Sequence, residues 1–103
     1  MKIVAVTACP TGIAHTYMAA EALEKAAKKM GHSIKVETQG SIGIENKISI
    51  KEAASADLVI LAADVAVKEE GRFKTKPVYR CEAQLAIKNA QKVIEQALQI
   101  LSQ

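Results

Sequence analysis

Large rings are almost missing from this 103-residue chain, which has no Trp, one Phe and two Tyr. Its core must therefore be close-packed from Ala, Val, Ile and Leu. The same scarcity argues against nucleic acid as a partner, because the basic residues are not interleaved with stacking aromatics. Two Pro and five Gly are too few for a fibrous or low-complexity chain. Two Cys give no disulfide framework, and no Cys-x-x-Cys is present for thioredoxin-like redox work, so a reducing cytoplasm is expected. Two Cys and two His at these separations match no ligand spacing, so neither a metal nor another cofactor is expected. The longest wholly apolar run, Leu58 to Ala63, falls far short of the ~20 residues that cross a bilayer. Lys2 followed by Ile3–Ala8 mimics a signal peptide only faintly, since Thr7, Thr11 and His15 interrupt the pattern. Nor is there an excess of one charge: fourteen basic against eleven acidic residues leave +3. What remains is the composition of one small cytosolic domain over residues 1–103, half of it hydrophobic.

Two hydrophobic periods alternate along it. Ile3–Ala8 and Leu58–Ala63 are nearly continuous apolar runs, as expected of parallel strands covered on both faces. Ile34–Thr38 alternates, with Ile34 and Val36 one way and Lys35 and Glu37 the other, which suggests an edge strand with a solvated face. Pro77-Val78-Tyr79 reads as a short second edge strand. Between them, Thr16–Met30 presents Ala19, Leu23, Ala26, Ala27 and Met30 as one helical stripe, ended by Gly31. Gly40 and Gly43 lie in a loop, and Ser49-Ile50-Lys51-Glu52 is a capping box opening a short helix through Ala56. Residues 65–76 read as loop with one helical turn. Ala83, Ile87, Ala90, Ile94, Ala97 and Leu101 then run down one long C-terminal helix. This alternation predicts a three-layer α/β/α sandwich with a four-stranded parallel sheet, order 2-1-3-4. In that order the winding reverses beside the first strand, where ligands bind at the strand carboxyl ends. The residue that emerges there is Cys9.

Around Cys9 three features converge. The start of the following helix offers unpaired backbone N–H groups and the positive end of its dipole, both of which favour an anion. Gly12 permits a tight concave path for the loop, a nest of inward N–H groups. Thr11, His15 and Thr16 add side-chain donors. A thiol in such surroundings is favoured as a nucleophilic thiolate. The spacing Cys, five residues, His, Thr is like the phosphate loop of cysteine phosphatases, which carries Arg where His15 stands. A cysteine after a strand also serves as a small buried filler, and His15 also suits an ordinary helix start. The switch-point position, Gly12 and the flanking hydroxyls favour phosphoryl chemistry on Cys9.

The string Ala5-Val6-Thr7-Ala8-Cys9-Pro10-Thr11-Gly12-Ile13-Ala14-His15-Thr16 is distinctive. With Met18-Ala19-Ala20-Glu21, Val36-Glu37-Thr38-Gln39-Gly40, Ala56-Asp57-Leu58-Val59-Ile60, Ala62-Ala63-Asp64 and Arg72-Phe73, it closely resembles one family. That family is the fructose-type enzyme IIB domain of the bacterial phosphoenolpyruvate-dependent sugar phosphotransferase system, and the resemblance spans nearly the whole chain. It implies that Cys9 accepts a phosphoryl group from a phosphohistidine of enzyme IIA. It further implies transfer to fructose or a related hexose carried by membrane enzyme IIC, at the inner face of the membrane. Pro10, Thr11, Gly12, Ile13, Ala14, His15 and Thr16 would then form the phosphate-binding loop.

Two other classes remain open on the residues alone, a small cysteine phosphatase and a non-catalytic anion-binding regulatory domain. The missing loop Arg and the lack of an Asp-Pro acid pair weigh against hydrolysis; a relay needs its intermediate to persist. Ile13 and Tyr17 suit either the core or an apolar patch around the loop. Elsewhere, Cys81 reads as a structural or surface thiol at the start of the last helix, His32 as a solvated turn residue and Asp64 as a loop cap. Glu37 to Gly40 read as an edge strand and turn. Arg72, Lys74, Lys76 and Arg80 read as a solvated basic loop able to steer an acidic partner.

Overall fold

A computed structural model describes residues 1–9, 13–40 and 42–102, without the side chain of Ile13. Five strands form one mixed sheet: β1 (Lys2–Ala8), β2 (Ser33–Gly40), β3 (Gly43–Glu45), β4 (Leu58–Ala63) and β5 (Val78–Cys81), in the order β3-β2-β1-β4-β5. The helices are α1 (Ile13–Lys29), α2 (Ile50–Ser55), α3 (Ala83–Lys88) and α4 (Ala90–Gln99), with a 3-10 turn at Glu70–Phe73.

The two wholly apolar runs are the paired central strands β1 and β4, in the register Ile3↔Leu58 to Ala8↔Ala63. Alternate side chains supply two cores. Ile3, Ala5, Cys9, Val36, Leu58, Ile60 and Ala62 meet Ala19, Leu23 and Ala27 of α1, Ala83 and Ala86 of α3, and Val93, Ile94 and Ala97 of α4. Val4, Val6, Val59 and Leu61 meet Ile48, Ala53 and Ala56 around α2, and Phe73 of the 3-10 turn. The small Ala stripes let α1, α3 and α4 lie close to one face; the single Phe fills the thinner layer on the other.

Local signals set the element ends. Ser49 accepts from Glu52 N–H at 3.0 Å while the Glu52 carboxylate accepts from Ser49 N–H at 2.9 Å, a complete capping box. At the far end of α1, His32 N–H donates to Ala27 O and Gly31 N–H to Lys28 O, a Schellman closure in which Gly31 takes φ +83°.

Three expectations need correction. The sheet has five strands rather than four, and Ile34–Thr38 lies between β1 and β3 rather than at an edge. The four parallel strands keep their expected relative order; β3 is added antiparallel, with Gly40 opposite Gly43 across a short hairpin. Secondly, the face of β2 carrying Lys35 and Glu37 is largely covered rather than solvated. Lys35 pairs with Glu52 of α2 at 2.8 Å, and Glu37 is fully buried. Thirdly, the C-terminal helix is two helices. Asn89 (φ −152°, ψ 70°) ends α3, and its side chain caps α4 by accepting from Lys92 N–H at 3.1 Å.

Candidate functional site

β1 is buried from Ile3 to Ala8 and delivers Cys9 at its carboxyl end, where chain winding reverses between β1 and β4. Cys9 is 8 % exposed and packs in the core shared with α1. Thr7, on the same face, donates its hydroxyl to Thr16 O at 3.0 Å and so ties the end of β1 to the beginning of α1. His15, exposed in that first turn, has Nδ1 3.9 Å from Cys9 Sγ, within reach of a hydrogen bond to sulfur. No acidic residue occupies the first turn of α1, so no carboxylate on the helix itself offsets its positive end. Thr16 is 1 % exposed, and its hydroxyl is the one buried side-chain oxygen or nitrogen without a hydrogen-bond partner among the described residues.

Of the expected phosphate loop, the structure brings Cys9 and His15 together, places Ala14 exposed in the same turn of α1, and ties Thr16 to β1 through its carbonyl. Pro10, Thr11, Gly12 and the side chain of Ile13 lie outside the described residues. Asp64, read as a loop cap, instead reaches the start of α3, where Oδ1 accepts from Ala83 N–H at 3.1 Å. His32 stands away from the site, with Nδ1 3.2 Å from the terminal amine of Met1. Cys81 is the last residue of β5 rather than part of the final helix; it is half-buried and forms no disulfide. Burial, then the nearby Asp64 and Glu82 carboxylates, push its thiol pKa up to about 11.

Arg72 does not belong to a solvated basic loop, and Arg80, though exposed, stands on β5. Arg80 is ion-paired with Glu70. Arg72 has a side chain only 4 % exposed and grips Glu37 with both amino groups, at 2.6 and 2.8 Å. Its remaining N–H groups donate to Ile48 O, Lys68 O and Glu69 O. Glu37 also accepts from Ile48 N–H at 2.8 Å and from Gln39 Nε2 at 2.7 Å. Burial alone would raise the Glu37 pKa, but the bonds from Arg72, Gln39 and Ile48 outweigh it and hold it below the ordinary value. Sequence reasoning missed this network. Its only signal was an unbroken polar run, Glu37-Thr38-Gln39, at the carboxyl end of an otherwise alternating strand.

A cysteine at the carboxyl edge of a doubly wound sheet, beside a helix start carrying His and Thr, is an arrangement suited to covalent group transfer. Comparison with known proteins makes the class specific. Residues 4–96 match the family described as PTS system, Lactose/Cellobiose specific IIB subunit. The chain is 56 % identical over 93 residues to the PTS system fructose-like EIIB component 2 of Escherichia coli K12, covering 90 % of this chain and 88 % of that one. It is 52 % identical over 96 residues to the fructose-specific EIIB'BC component of Haemophilus influenzae, covering 93 % of this chain but 17 % of that longer protein. Its fold matches a crystallised domain of the fructose-specific IIABC component of Borrelia burgdorferi with a TM-score of 0.89 and 53 % identity, over 93 % of this chain and 91 % of that one. The chain belongs to the enzyme IIB family of the sugar phosphotransferase system, in its fructose-type branch. It is a phosphotransferase, a phosphoryl-transfer component of that system.

Proposed function

We propose that Cys9 is the phosphoryl carrier, accepting from a phosphohistidine of enzyme IIA and donating to a sugar held by membrane enzyme IIC. The observation that carries this reading is the position of Sγ, at the switch-point end of β1 and 3.9 Å from His15 Nδ1. In the first step the thiolate attacks phosphorus, an S–P bond forms, and the P–N bond breaks with its electrons returning to the donor imidazole. In the second, a sugar hydroxyl attacks phosphorus, the S–P bond breaks, and the hydroxyl proton leaves to solvent or a base on the acceptor side. His15 and Thr16, with the backbone of residues 10–16, hold the phosphoryl oxygens. His15 acts as a donor, never as a carrier.

Both partners have to reach the same sulfur in turn, so the site has to be approachable. Tyr17, Met18, Ile42, Val65 and Leu85 are exposed large apolar side chains on segments that leave the carboxyl ends of strands. They would form a rim on which each partner can dock. The substrate is fructose or a related hexose, as the names of the relatives suggest. The domain works in the cytoplasm at the inner face of the membrane; among the described residues no helix is long and apolar enough to cross it.

The test is to phosphorylate the chain with the general phosphocarrier, its kinase and a IIA protein, then map the labelled peptide. Label on Cys9 with the lability of a thiophosphate, and none in Cys9→Ser, is the expected result. Label on His15 or His32, or label surviving in Cys9→Ser, would overturn the relay. Steady hydrolysis of an aryl phosphate without partners would replace it with a phosphatase.

A further inference from the structure

After β4 the chain has to pass from one side of β1 to the other. Asp64 N–H donates to Ala8 O at 2.9 Å, the last rung between β4 and β1. Four residues on, Lys68 N–H donates to Gln39 Oε1 at 2.8 Å, and Gln39 Nε2 donates back to Lys68 O at 3.0 Å. Gln39 is the register partner of Ala8 in β2, and β1 lies between β2 and β4. Residues 64–68 therefore cross β1 at the level of Ala8, one residue before Cys9. Two strand spacings make about 9.6 Å, within the about 13 Å that four residues at about 3.3 Å each can reach. Val67 is buried in the core beneath α2, which puts this arch on the face opposite α1.

The far foot of the arch is fixed with unusual thoroughness. A side-chain amide is able both to accept a backbone N–H and to donate to the same residue's carbonyl. Gln39 does this, standing in for a strand partner to Lys68. The same Nε2 reaches Glu37, and Arg72 reaches Lys68 O at 3.3 Å, so the foot is continuous with the buried ion pair. Apolar packing would stabilise such a corner at least as well as a buried pair does. A network with every partner in place instead specifies one backbone position.

We infer that the 64–68 arch is the backstop that sets where β1 releases Cys9, with Gln39 as its positioning residue, so that the foot at Lys68 governs the stance of Sγ toward α1 and the rate of phosphoryl acceptance. The inference rests on Cys9 being the carrier. Gln39 touches no reacting atom and acts through the arch and Ala8.

Two substitutions test it in the full chain. Gln39→Met keeps length and approximate volume but removes both bonds to Lys68. Gln39→Glu keeps an acceptor for Lys68 N–H, loses the donor and sets a second carboxylate beside Glu37. Single-turnover transfer from phosphorylated IIA, over a series of IIA concentrations, separates docking from transfer. The limiting rate should fall about tenfold in both variants, below the ~100-fold of a 1 Å misplacement, while half-saturation moves less than about twofold. Carboxamidomethylation of Cys9 by iodoacetamide, which needs no IIA, should change rate in the same variants. Failure of the native chain to take label on Cys9 would defeat the functional reading, and the alkylation arm would still judge the arch. Folded variants that transfer and alkylate at native rates would overturn the inference. Should both variants unfold, the native chain decides: amide exchange at Asp64 and Lys68 must change when Cys9 is alkylated, and no change overturns the proposal.

Discussion

Glu37 and Arg72, 35 residues apart in sequence, meet in a two-pronged ion pair in which Arg72 has a bonding partner for each of its five N–H groups. The pair joins the carboxyl half of β2 to the segment before α2 and to the loop after β4. Its position makes it a structural tie close to the site rather than a steering charge on the surface.

Removing one member should cost far more than removing both. Glu37→Gln leaves the Arg72 guanidinium buried without its counter-charge, a loss of about 3–5 kcal/mol in stability. The double variant Glu37→Leu with Arg72→Met should lose much less than the sum of the two single changes. Chemical denaturation of Glu37→Leu, Arg72→Met and their double variant, with Glu37→Gln beside them, measures this. Equal and additive losses would mean the pair is not coupled.

Stability should also fall in acid with a recognisable profile. The Lys35 ammonium, followed by the Ser49 N–H, pulls the Glu52 carboxyl down to about 2, and the network around Arg72 lowers that of Glu37. A carboxyl whose pKa is lower folded than unfolded binds more protons in the unfolded chain. Its contribution is therefore complete above about pH 4.5 and is lost as the pH falls toward about 2. Glu52→Gln should flatten that part of the stability curve, and added salt should flatten it further because the pair is partly exposed. A variant curve parallel to the native one between those pH values would count against the linkage.

Elements with a continuous apolar run or a local punctuation mark were legible in the sequence. The runs Ile3–Ala8 and Leu58–Ala63, the box Ser49–Glu52 and the stop at Gly31 each carry their own signal, and each stands where it was read. Cys9 at the switch point follows from the order of those strands. Less legible were features decided by distant partners. Glu37 looks like the solvated side of an edge strand until Arg72 arrives from a loop 35 residues away. β3 needs only three residues and borrows its stability from β2. The break at Asn89 was locally encoded, since Asn is a preferred N-cap, but the apolar stripe from Ala83 to Leu101 keeps helical spacing straight across it and reads as one helix.

Cys81 should be a poor nucleophile despite its partial exposure. With its pKa pushed up to about 11 by burial and by Asp64 and Glu82, it remains a thiol at neutral pH. In Cys9→Ser, alkylation at pH 8 should run on the order of a hundredfold slower than for free cysteine in solution. The rate should climb steadily as the pH approaches 11. A plateau near pH 9 would show that the thiol is not suppressed. Cys81→Ser should leave phosphoryl transfer unchanged.

His15 offers the sharpest division between donor and carrier. Its Nδ1 lies 3.9 Å from Cys9 Sγ, in the first turn of α1, and in the proposed relay it faces the phosphoryl group from the side. Removing one oriented donor from an enclosed anion hole costs on the order of 10²–10³ in rate. His15 is exposed, and in the proposed relay it shares the task with backbone N–H groups and Thr16, so His15→Ala should slow transfer by roughly tenfold, well below that range. The labelled peptide should still carry its phosphate on Cys9. His15→Asn keeps a side-chain N–H and should recover part of the rate, which a purely steric role for the ring would not allow. A His15→Ala chain that transfers at the native rate would remove His15 from the site. Complete loss of label on Cys9 in that variant, with the fold intact, would make the imidazole an obligatory partner of the sulfur instead of one donor among several.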